Sequence, residues 1–176
     1  MRSVCLFLLV IAGSAEPVLA EQRCDTAAYP LSSPTERFAD NGDGTVTDRQ
    51  AQLTWMRCSA GQDWSEGTCA GPAAAYDWAA AQGVAAEMNA SGRHFYNDWR
   101  VPTLRELAMI TERQCENPRI NLGVFPNTPA VVYWTESSRP GEDFVDFAYA
   151  LSFGPEGALH LSKQEQHQVR LVRTSD

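Results

Sequence analysis

A short acidic turn holds the side chains best suited to binding a metal ion. The segment 40–48 reads Asp-Asn-Gly-Asp-Gly-Thr-Val-Thr-Asp, and its calcium candidates are Asp40, Asn41, Asp43 and Asp48. An EF-type loop needs ligand oxygens at alternate positions before its glycine, and Ala39 stands where the first would be. The same letters are typical of a hairpin turn, since glycine and asparagine tolerate positive φ. The turn is the favoured interpretation, calcium remains the alternative, and no other cofactor is predicted.

Four cysteines could either form disulfides or bind zinc. Beyond Cys5, in the N-terminal apolar run, they are Cys24, Cys58, Cys69 and Cys115. An even number in an exported chain predicts disulfides. Three pairings exist; Cys58 and Cys69 bracket a short loop and are expected to pair, which leaves Cys24 to Cys115. A zinc site is disfavoured, because the sequence has no Cys-x-x-Cys pair and no closely spaced histidines.

The residues of a hydrolase or transferase site are present by type but not in any recognisable pattern. His94, His160 and His167 could act as bases, and the last two stand in polar contexts that predict exposure to solvent. No Gly-x-Ser-x-Gly motif occurs. The sequence therefore predicts a protein that is not an enzyme and assigns no catalytic residue.

Trp64, with the adjacent Asp63, is the best candidate for contact with a ligand. Trp55, Trp78, Trp99 and Trp134 occur in predicted regular elements and are expected in the core. Trp64 occurs in the loop between Cys58 and Cys69 and is predicted to be exposed. Exposed aromatics on a disulfide-held loop are common in binding surfaces. The alternative is that Trp64 folds over the domain as a lid on the core.

The elements that would position these residues meet at the segment 98–107. Pro102 keeps the preceding residue extended, and Thr103 with Glu106 has the spacing of a capping box at a helix start. This segment predicts a joint between a strand end and a helix, with structural rather than catalytic roles for its residues. Its signature residues are Asp98, Trp99, Arg100, Pro102, Thr103 and Glu106.

Periodicity along the chain predicts an α+β fold. An alanine-rich helix is expected over 72–91 and a second over 104 to about 113, with strands at 37–40, 45–48, 52–57, 131–136, 143–152, 158–161 and 168–172. In the 143–152 segment the bulky apolar residues alternate onto one face. Two helices packed on a mostly antiparallel sheet, with the N-terminal hairpin near the C-terminal strand, follow from this order.

The N-terminal segment and the net charge limit where the protein can act and what it can bind. Residues 1–20 combine Arg2, an apolar run and Val18-Leu19-Ala20, which predicts a cleaved signal peptide. Residues 21–36 are expected to be an arm and 37–174 the domain. The net charge is −8, which argues against nucleic acid as a partner and against a general affinity for anionic membranes. No membrane insertion is expected after signal cleavage. The expected destination is the periplasm, the cell surface or the medium.

Several motifs in order resemble one known family. They are Phe-Ala-Asp-Asn-Gly-Asp-Gly-Thr-Val-Thr-Asp at 38–48, Leu-Thr-Trp-Met at 53–56, the 98–107 segment, Phe-Pro-Asn at 125–127, Tyr-Trp-Thr at 133–135 and Val-Arg-Leu-Val-Arg at 169–173. Together they resemble the Lcl C-terminal domain family, named for a collagen-like adhesin. The resemblance covers 37–173 and implies a C-type-lectin-like fold. It also implies a secreted or surface module that, in the namesake, binds sulfated glycosaminoglycans.

The resemblance leaves the ligand open. Arg93, Arg100, Arg105, Arg113 and Arg119 could form a basic patch for a sulfated glycan, but each could equally pair with a carboxylate. The Arg-Val-Pro-Thr turn is also similar to one in formylglycine-generating enzymes, which share the fold. The sequence thus favours an exported, non-catalytic binding module, adhesin-like, with a glycan or protein ligand. The alternatives are an oxidase of the formylglycine-generating type and a structural subunit of a cell-envelope assembly.

Overall fold

A computed structural model describes residues 21–27, 30–92, 96–138 and 141–175 of the chain. The predicted signal peptide, residues 1–20, lies outside the described residues, as do Arg93 and His94. Within the described ranges no helix is both long and apolar enough to cross a bilayer.

The described residues form two α-helices, eleven strands and two short 3₁₀ helices, at Thr35–Arg37 and Glu142–Phe144. The helices are α1 (Trp78–Ser91) and α2 (Leu104–Met109). The strands are β1 (Arg23–Cys24), β2 (Phe38–Asp40), β3 (Thr45–Asp48), β4 (Leu53–Met56), β5 (Asp63–Ser65), β6 (Thr68–Ala70), β7 (Cys115–Glu116), β8 (Val132–Ser138), β9 (Phe147–Ser152), β10 (Ala158–Ser162) and β11 (Val172–Thr174).

The first large sheet has the strand order β11-β4-β3-β2, and all its pairs are antiparallel. The hairpin of β2 and β3 turns through Gly42 and Gly44, which both have positive φ. The hairpin is near the C-terminal strand, as the sequence predicts, but β4 separates the two. Val172 of β11 pairs with Trp55 of β4, because a fully buried β4 needs a strand on each side.

The second sheet has the order β10-β9-β8, also antiparallel. The strand predicted from residue 143 begins only at Phe147, since a 3₁₀ helix occupies Glu142–Phe144. The alternation puts the bulky apolar residues on one face, but that face is not uniformly buried. The small residues Ala148 and Ala150 are fully buried under α1, while Phe147 is 38% exposed.

Both helices are shorter than the sequence predicts. Helix α1 begins at Trp78 rather than 72, because the Asp77 side chain accepts a hydrogen bond from the Ala80 N–H and caps the helix there. Helix α2 ends at Met109 rather than near 113. The capping box of Thr103 and Glu106 at its start is confirmed.

The core has two parts that meet across the second sheet. One part joins the first sheet to α2 and includes Trp55, Leu107 and Phe153, all fully buried. The other joins α1 to β8 and β9 and includes Ala81 and Trp134. Helices on antiparallel sheets around these clusters confirm the α+β class; the C-type-lectin-like likeness stays a prediction.

The structure contains two disulfides among its described residues, and both have the pairing that the sequence predicts. Cys24–Cys115 ties the N-terminal segment to the region after α2, where β1 pairs with β7. Cys58–Cys69 closes the loop that contains the β5–β6 hairpin. The segment predicted to be an arm is therefore docked. The buried carboxylate of Glu112 accepts hydrogen bonds from the Ser32 and Ser33 N–H groups.

Candidate functional site

A cleft of about 240 Å³ lies between the β5–β6 hairpin and α1, and we call it the loop–helix cleft. Its floor is formed by Met56 and Leu171, which are both buried. Its walls come from the disulfide-held loop on one side and from α1 and the segment before it on the other. The wall side chains used below are Gln62, Asp63, Trp64, Tyr76, Val84 and Met88.

Helix α1 presents Val84 and Met88 to the cleft. These residues are four apart, so they lie one above the other on the same helix face. The adjacent face buries Ala81 and Ala85 against the second sheet, which fixes the rotation of the helix. The alanines allow a close approach, and the larger Val84 and Met88 at its edge remain partly exposed. The cleft is therefore a consequence of how α1 packs.

The opposite wall is held in place by more than its disulfide. The Gln62 side chain accepts a hydrogen bond from the Ser59 N–H at 3.1 Å and donates one to the Asn127 carbonyl at 3.2 Å. The Asn127 side chain in turn donates to the Cys69 carbonyl at 2.7 Å. These bonds tie the hairpin to the segment before β8, so the wall is preorganised rather than a free loop.

Trp64 is half-buried, whereas its position in a loop predicted that it would be exposed. The Arg57 guanidinium lies 4.3 Å from the centre of its ring, and Arg57 is itself held by the Asp40 carboxylate at 2.8 Å and the Val124 carbonyl at 2.8 Å. The backbone of Gly44 packs against the base of the Trp64 side chain. The indole thus lies over the first sheet and also lines the cleft, combining the two interpretations of this residue. Asp63 is exposed, as a ligand contact would be.

A buried polar cluster that the sequence did not single out supports the floor of the cleft. Arg170 is fully buried, and its guanidinium donates to the Met56 and Arg57 carbonyls and to the Thr128 hydroxyl. The Ser59 hydroxyl, a further acceptor at 3.3 Å, is 2.6 Å from the Tyr133 hydroxyl. No carboxylate among the described residues pairs with Arg170. In the sequence, Arg170 stands out only as a member of the motif at 169–173, and nothing there indicates that it is buried.

Burial shifts both titratable groups of this cluster. Desolvation raises the pKa of Tyr133, although the nearby Arg170 opposes the shift. Desolvation lowers the pKa of Arg170, against the effect of Tyr133. The guanidinium also lies 4.8 Å from the centre of the Phe125 ring. All these contacts are internal, so the cluster joins the end of β4 to the segment before β8 and positions the cleft.

Two of the calcium candidates are held by arginines. The Asp48 carboxylate is buried, bonds to the Arg37 guanidinium and accepts from the Gln50 N–H. Asp40 pairs with Arg57, as described above. Each of these two carboxylates therefore already has a cationic partner.

The other two candidates hold the hairpin turn together. The Asp43 side chain accepts from the Thr45 N–H at 2.9 Å and the Thr45 hydroxyl at 2.6 Å, and Asn41 donates to that hydroxyl at 2.9 Å. The part of the chain that the structure describes contains no group of three or more His, Cys, Asp or Glu that could hold a metal ion.

Several signature residues of the 98–107 segment form ion pairs and hydrogen bonds at the start of α2. Arg100 forms a paired hydrogen bond with the Glu106 carboxylate, at 2.8 and 2.6 Å, and this bond raises the pKa of Arg100. Burial alone would raise the pKa of Glu106, but the bonds from Arg100 and Thr103 outweigh it, and the net shift is downward. Asp98 pairs with Arg173 of β11 at 2.7 Å, which joins the segment to the first sheet.

The sequence predicts that His160 and His167 are exposed to solvent, but both are partly buried in the structure. His160 packs among aromatic rings of the second sheet, 5.0 Å from Tyr149 and 5.3 Å from Phe147 between ring centres. His167 packs 4.9 Å from Trp134, and its backbone pairs with that of Tyr76. Both are packing residues because the second sheet and the segment before α1 cover them.

Of the four described arginines that might form a basic patch, two are paired, and Arg93 lies outside the described residues. Arg100 bonds to Glu106, and Arg119 lies 3.7 Å from Glu116. Arg105 and Arg113 are exposed.

Comparison with protein families gives a match over most of the chain. A family model described as the Lcl C-terminal domain matches residues 44–173, which is nearly three quarters of the chain. No curated protein matches this chain. The matched range includes both walls of the loop–helix cleft, both helices and the second sheet.

Proposed function

Since the chain belongs to the Lcl C-terminal domain family, we propose that it is an exported, non-catalytic binding module whose ligand enters the loop–helix cleft. The observation that carries this proposal is the cleft itself. It combines a braced loop, a half-buried tryptophan and partly exposed apolar residues of α1 in one concavity. Binding residues are typically found on loops held by a rigid scaffold, and apolar concavities with a few polar groups are the usual small-ligand sites.

The two disulfides support export. Disulfides persist in oxidising compartments such as the periplasm or the cell exterior and are rare in a reducing cytosol. One disulfide here joins segments 91 residues apart, and the other closes a loop across 11 residues. Placement in the periplasm, on the surface or in the medium is part of the proposal, and fractionation of the native host would separate them.

The cysteines also support a non-catalytic role. An oxidase of the formylglycine-generating type needs reactive thiols, whereas the four cysteines of the described residues are all paired. We expect a thiol reagent to label none of these four cysteines in the native mature protein. Two reactive thiols would overturn this and favour the oxidase.

A glycan array, probed with and without a calcium chelator, tests the binding proposal. The array is probed with wild-type protein, with Val84→Phe, which fills the cleft, and with Val145→Phe. The last is the matched control, since Val145 is 63% exposed and lies outside the cleft. We expect bound glycans to be lost with Val84→Phe alone. Thermal unfolding of each variant checks that the fold is retained.

The outcomes separate the versions of the proposal. Loss of binding with the chelator would assign a role to the acidic turn at 40–48. Binding that survives Val84→Phe would place the ligand outside the cleft and contradict the proposal. No glycan binding in either condition would leave a protein ligand, tested on a peptide array with the same three proteins.

A further inference from the structure

Among the described residues that line the loop–helix cleft, the one charged side chain is a carboxylate, that of Asp63. The Asp63 carboxylate is on its rim and exposed to solvent, and no hydrogen bond or ion pair engages it within the described part of the chain. None of the described residues that line the cleft is a lysine, arginine or histidine. The whole chain carries a net charge of −8, which reinforces the local sign. An anion entering the cleft would meet a like charge and no counter-charge.

The nearest cation is not available to a ligand. Arg57 lies behind the Trp64 ring, with its guanidinium 4.3 Å from the ring centre, and is buried. Its charge is balanced by Asp40 at 2.8 Å. Because Arg57 is covered by the indole and already paired, it contributes little positive potential to the cleft. It does fix the indole as a cleft wall.

The size and walls of the cleft restrict what can enter. About 240 Å³ is below the usual range for drug-sized ligands, about 300 to 1,000 Å³, and suits one ring or a short aliphatic stem. Met56, Val84, Met88 and Leu171 offer apolar contacts, and methionines adapt to ligands of different shape. Trp64 offers an aromatic surface against which the apolar part of a ligand can pack.

We infer that the loop–helix cleft takes an apolar group that carries a positive charge, such as an aromatic or aliphatic primary amine, with its ammonium at Asp63. This inference rests on the proposed function and adds the chemical class of the ligand. The apolar part is held between the loop wall and α1, and the charge stays at the rim, where it remains partly hydrated. Both a free amine and a lysine side chain of a protein ligand have this chemistry.

Three probes of matched shape and different charge test the inference on the full mature protein. They are 2-phenylethylamine, 2-phenylethanol and phenylacetate, and binding is measured by NMR titration. A unit charge near an exposed carboxylate is worth about 1 kcal/mol, so we expect the amine to bind about 5-fold more tightly than the alcohol. Phenylacetate should bind most weakly. The amine's advantage should shrink as salt is raised, since exposed charges are screened.

Two carboxylate variants separate local charge from net charge. Asp63→Asn should weaken binding of the amine and remove its advantage over the alcohol. Asp146→Asn makes the same change in net charge at an exposed site outside the cleft, and it should leave the difference intact. A fourth probe, Nα-acetyl-lysine amide, separates the sources: tighter binding than 2-phenylethylamine would indicate a lysine of a protein ligand, and weaker binding a free amine.

Failure of this inference and failure of the proposed function give different results. Equal binding of amine, alcohol and carboxylate, lost with Val84→Phe, would keep the cleft as a binding site and overturn the cationic ligand class. Preference for the amine that survives both Asp63→Asn and Val84→Phe would place the site elsewhere and overturn both. Absence of binding by every probe to the wild-type protein would also overturn both.

Discussion

Gly44 allows Trp64 to reach its position over the first sheet. Its φ is 87°, and a Cβ built on it would lie 2.7 Å from the Trp64 Cγ. Alanine at this position would be strained by its backbone and would also collide with the indole. The turn at 40–44 and the cleft wall are therefore coupled through one glycine, although they are twenty residues apart in sequence.

We expect Gly44→Ala to destabilise the protein by about 2 to 4 kcal/mol, the sum of a positive-φ penalty and overpacking. Gly42→Ala is the matched control, because Gly42 has a φ of 80° and nothing within 4 Å of the Cβ position. It should show the backbone penalty alone, about 1 kcal/mol. Denaturant unfolding of both variants measures the difference, and equal losses would show that Trp64 is not packed on Gly44.

Arg170 is the buried residue whose replacement tests the cluster under the cleft floor. A lysine keeps the charge, but its ammonium cannot replace the planar guanidinium. The guanidinium donates to the Met56 and Arg57 carbonyls and to the Thr128 hydroxyl at the same time. We expect Arg170→Lys to lower the free energy of unfolding by about 2 kcal/mol or more, as buried acceptors lose their donors. Arg105→Lys, on the exposed side of α2, should change it by less than about 0.5 kcal/mol. Similar small losses at both sites would contradict the assigned role.

How far the sequence predicts these residues depends on whether their partners are local. The turn of 40–44 and the capping box of Thr103 and Glu106 are local patterns, and both are present. The contact of Trp64 with Gly44 and the burial of Arg170 depend on segments far apart in the chain. No periodicity reports such contacts. For this reason the sequence identified Trp64 and Asp63 as ligand candidates but gave neither the cleft nor its floor.

The elements show the same limit at their boundaries. The start of α1 depends on a cap at Asp77, yet alanine-rich residues before it have equal helix propensity, so composition alone predicts a start at 72. The alternation after residue 143 puts the bulky apolar residues on one face, but it does not say which face the fold buries. In the structure both faces of β9 are packed, because α1 covers the alanines and the first core cluster takes Leu151 and Phe153. Layer packing, not the alternation, decides which face is buried.

Two carboxylates, one at the start of α2 and one just after its end, make the free energy of unfolding depend on pH in the acid range. The pKa of Glu106 is lower in the folded than in the unfolded chain, and burial and hydrogen bonding give the Glu112 carboxylate a lowered pKa as well. A carboxylate with a lowered folded pKa stabilises the fold above its ordinary pKa, and this contribution is lost as the pH falls through the folded value. We therefore expect the free energy of unfolding to decrease below about pH 4.

Glu106→Gln should flatten part of that decrease. At neutral pH the variant should be less stable by about 1 kcal/mol, because it loses the charged half of the capping box and the pair with Arg100. As the pH falls the two curves should converge, since protonation removes the same interactions from the wild type. Glu87→Gln, on the exposed face of α1, controls for the loss of one carboxylate. Curves of Glu106→Gln and wild type that stay parallel from neutral to acid pH would contradict this account.

At the scale of the whole molecule, the two disulfides have different roles: one mainly stabilises the fold, and the other orders the wall of the cleft. Cys24–Cys115 spans 91 residues and holds the N-terminal segment, which contributes nothing to the cleft. Cys58–Cys69 spans 11 residues and closes the cleft wall. Closing a longer loop removes more entropy from the unfolded chain. The long-range disulfide should therefore matter more for global stability, and the short one for the order of the site.

We expect replacement of Cys24 and Cys115 by serine to lower the free energy of unfolding by about 4 to 5 kcal/mol, and replacement of Cys58 and Cys69 by about 3 kcal/mol. Hydrogen exchange, measured on both double variants, distinguishes the local effects. The first variant should lose protection in residues 22–33, including the bonds of Ser32 and Ser33 to Glu112, and keep it in 58–70. The second should show the reverse, because the β5–β6 hairpin then keeps only its non-covalent contacts, chiefly those of Gln62, Asn127 and Trp64. A uniform loss of protection in both variants would mean that the cleft wall and the N-terminal segment unfold as one unit, and that stability and site order cannot be separated in this fold.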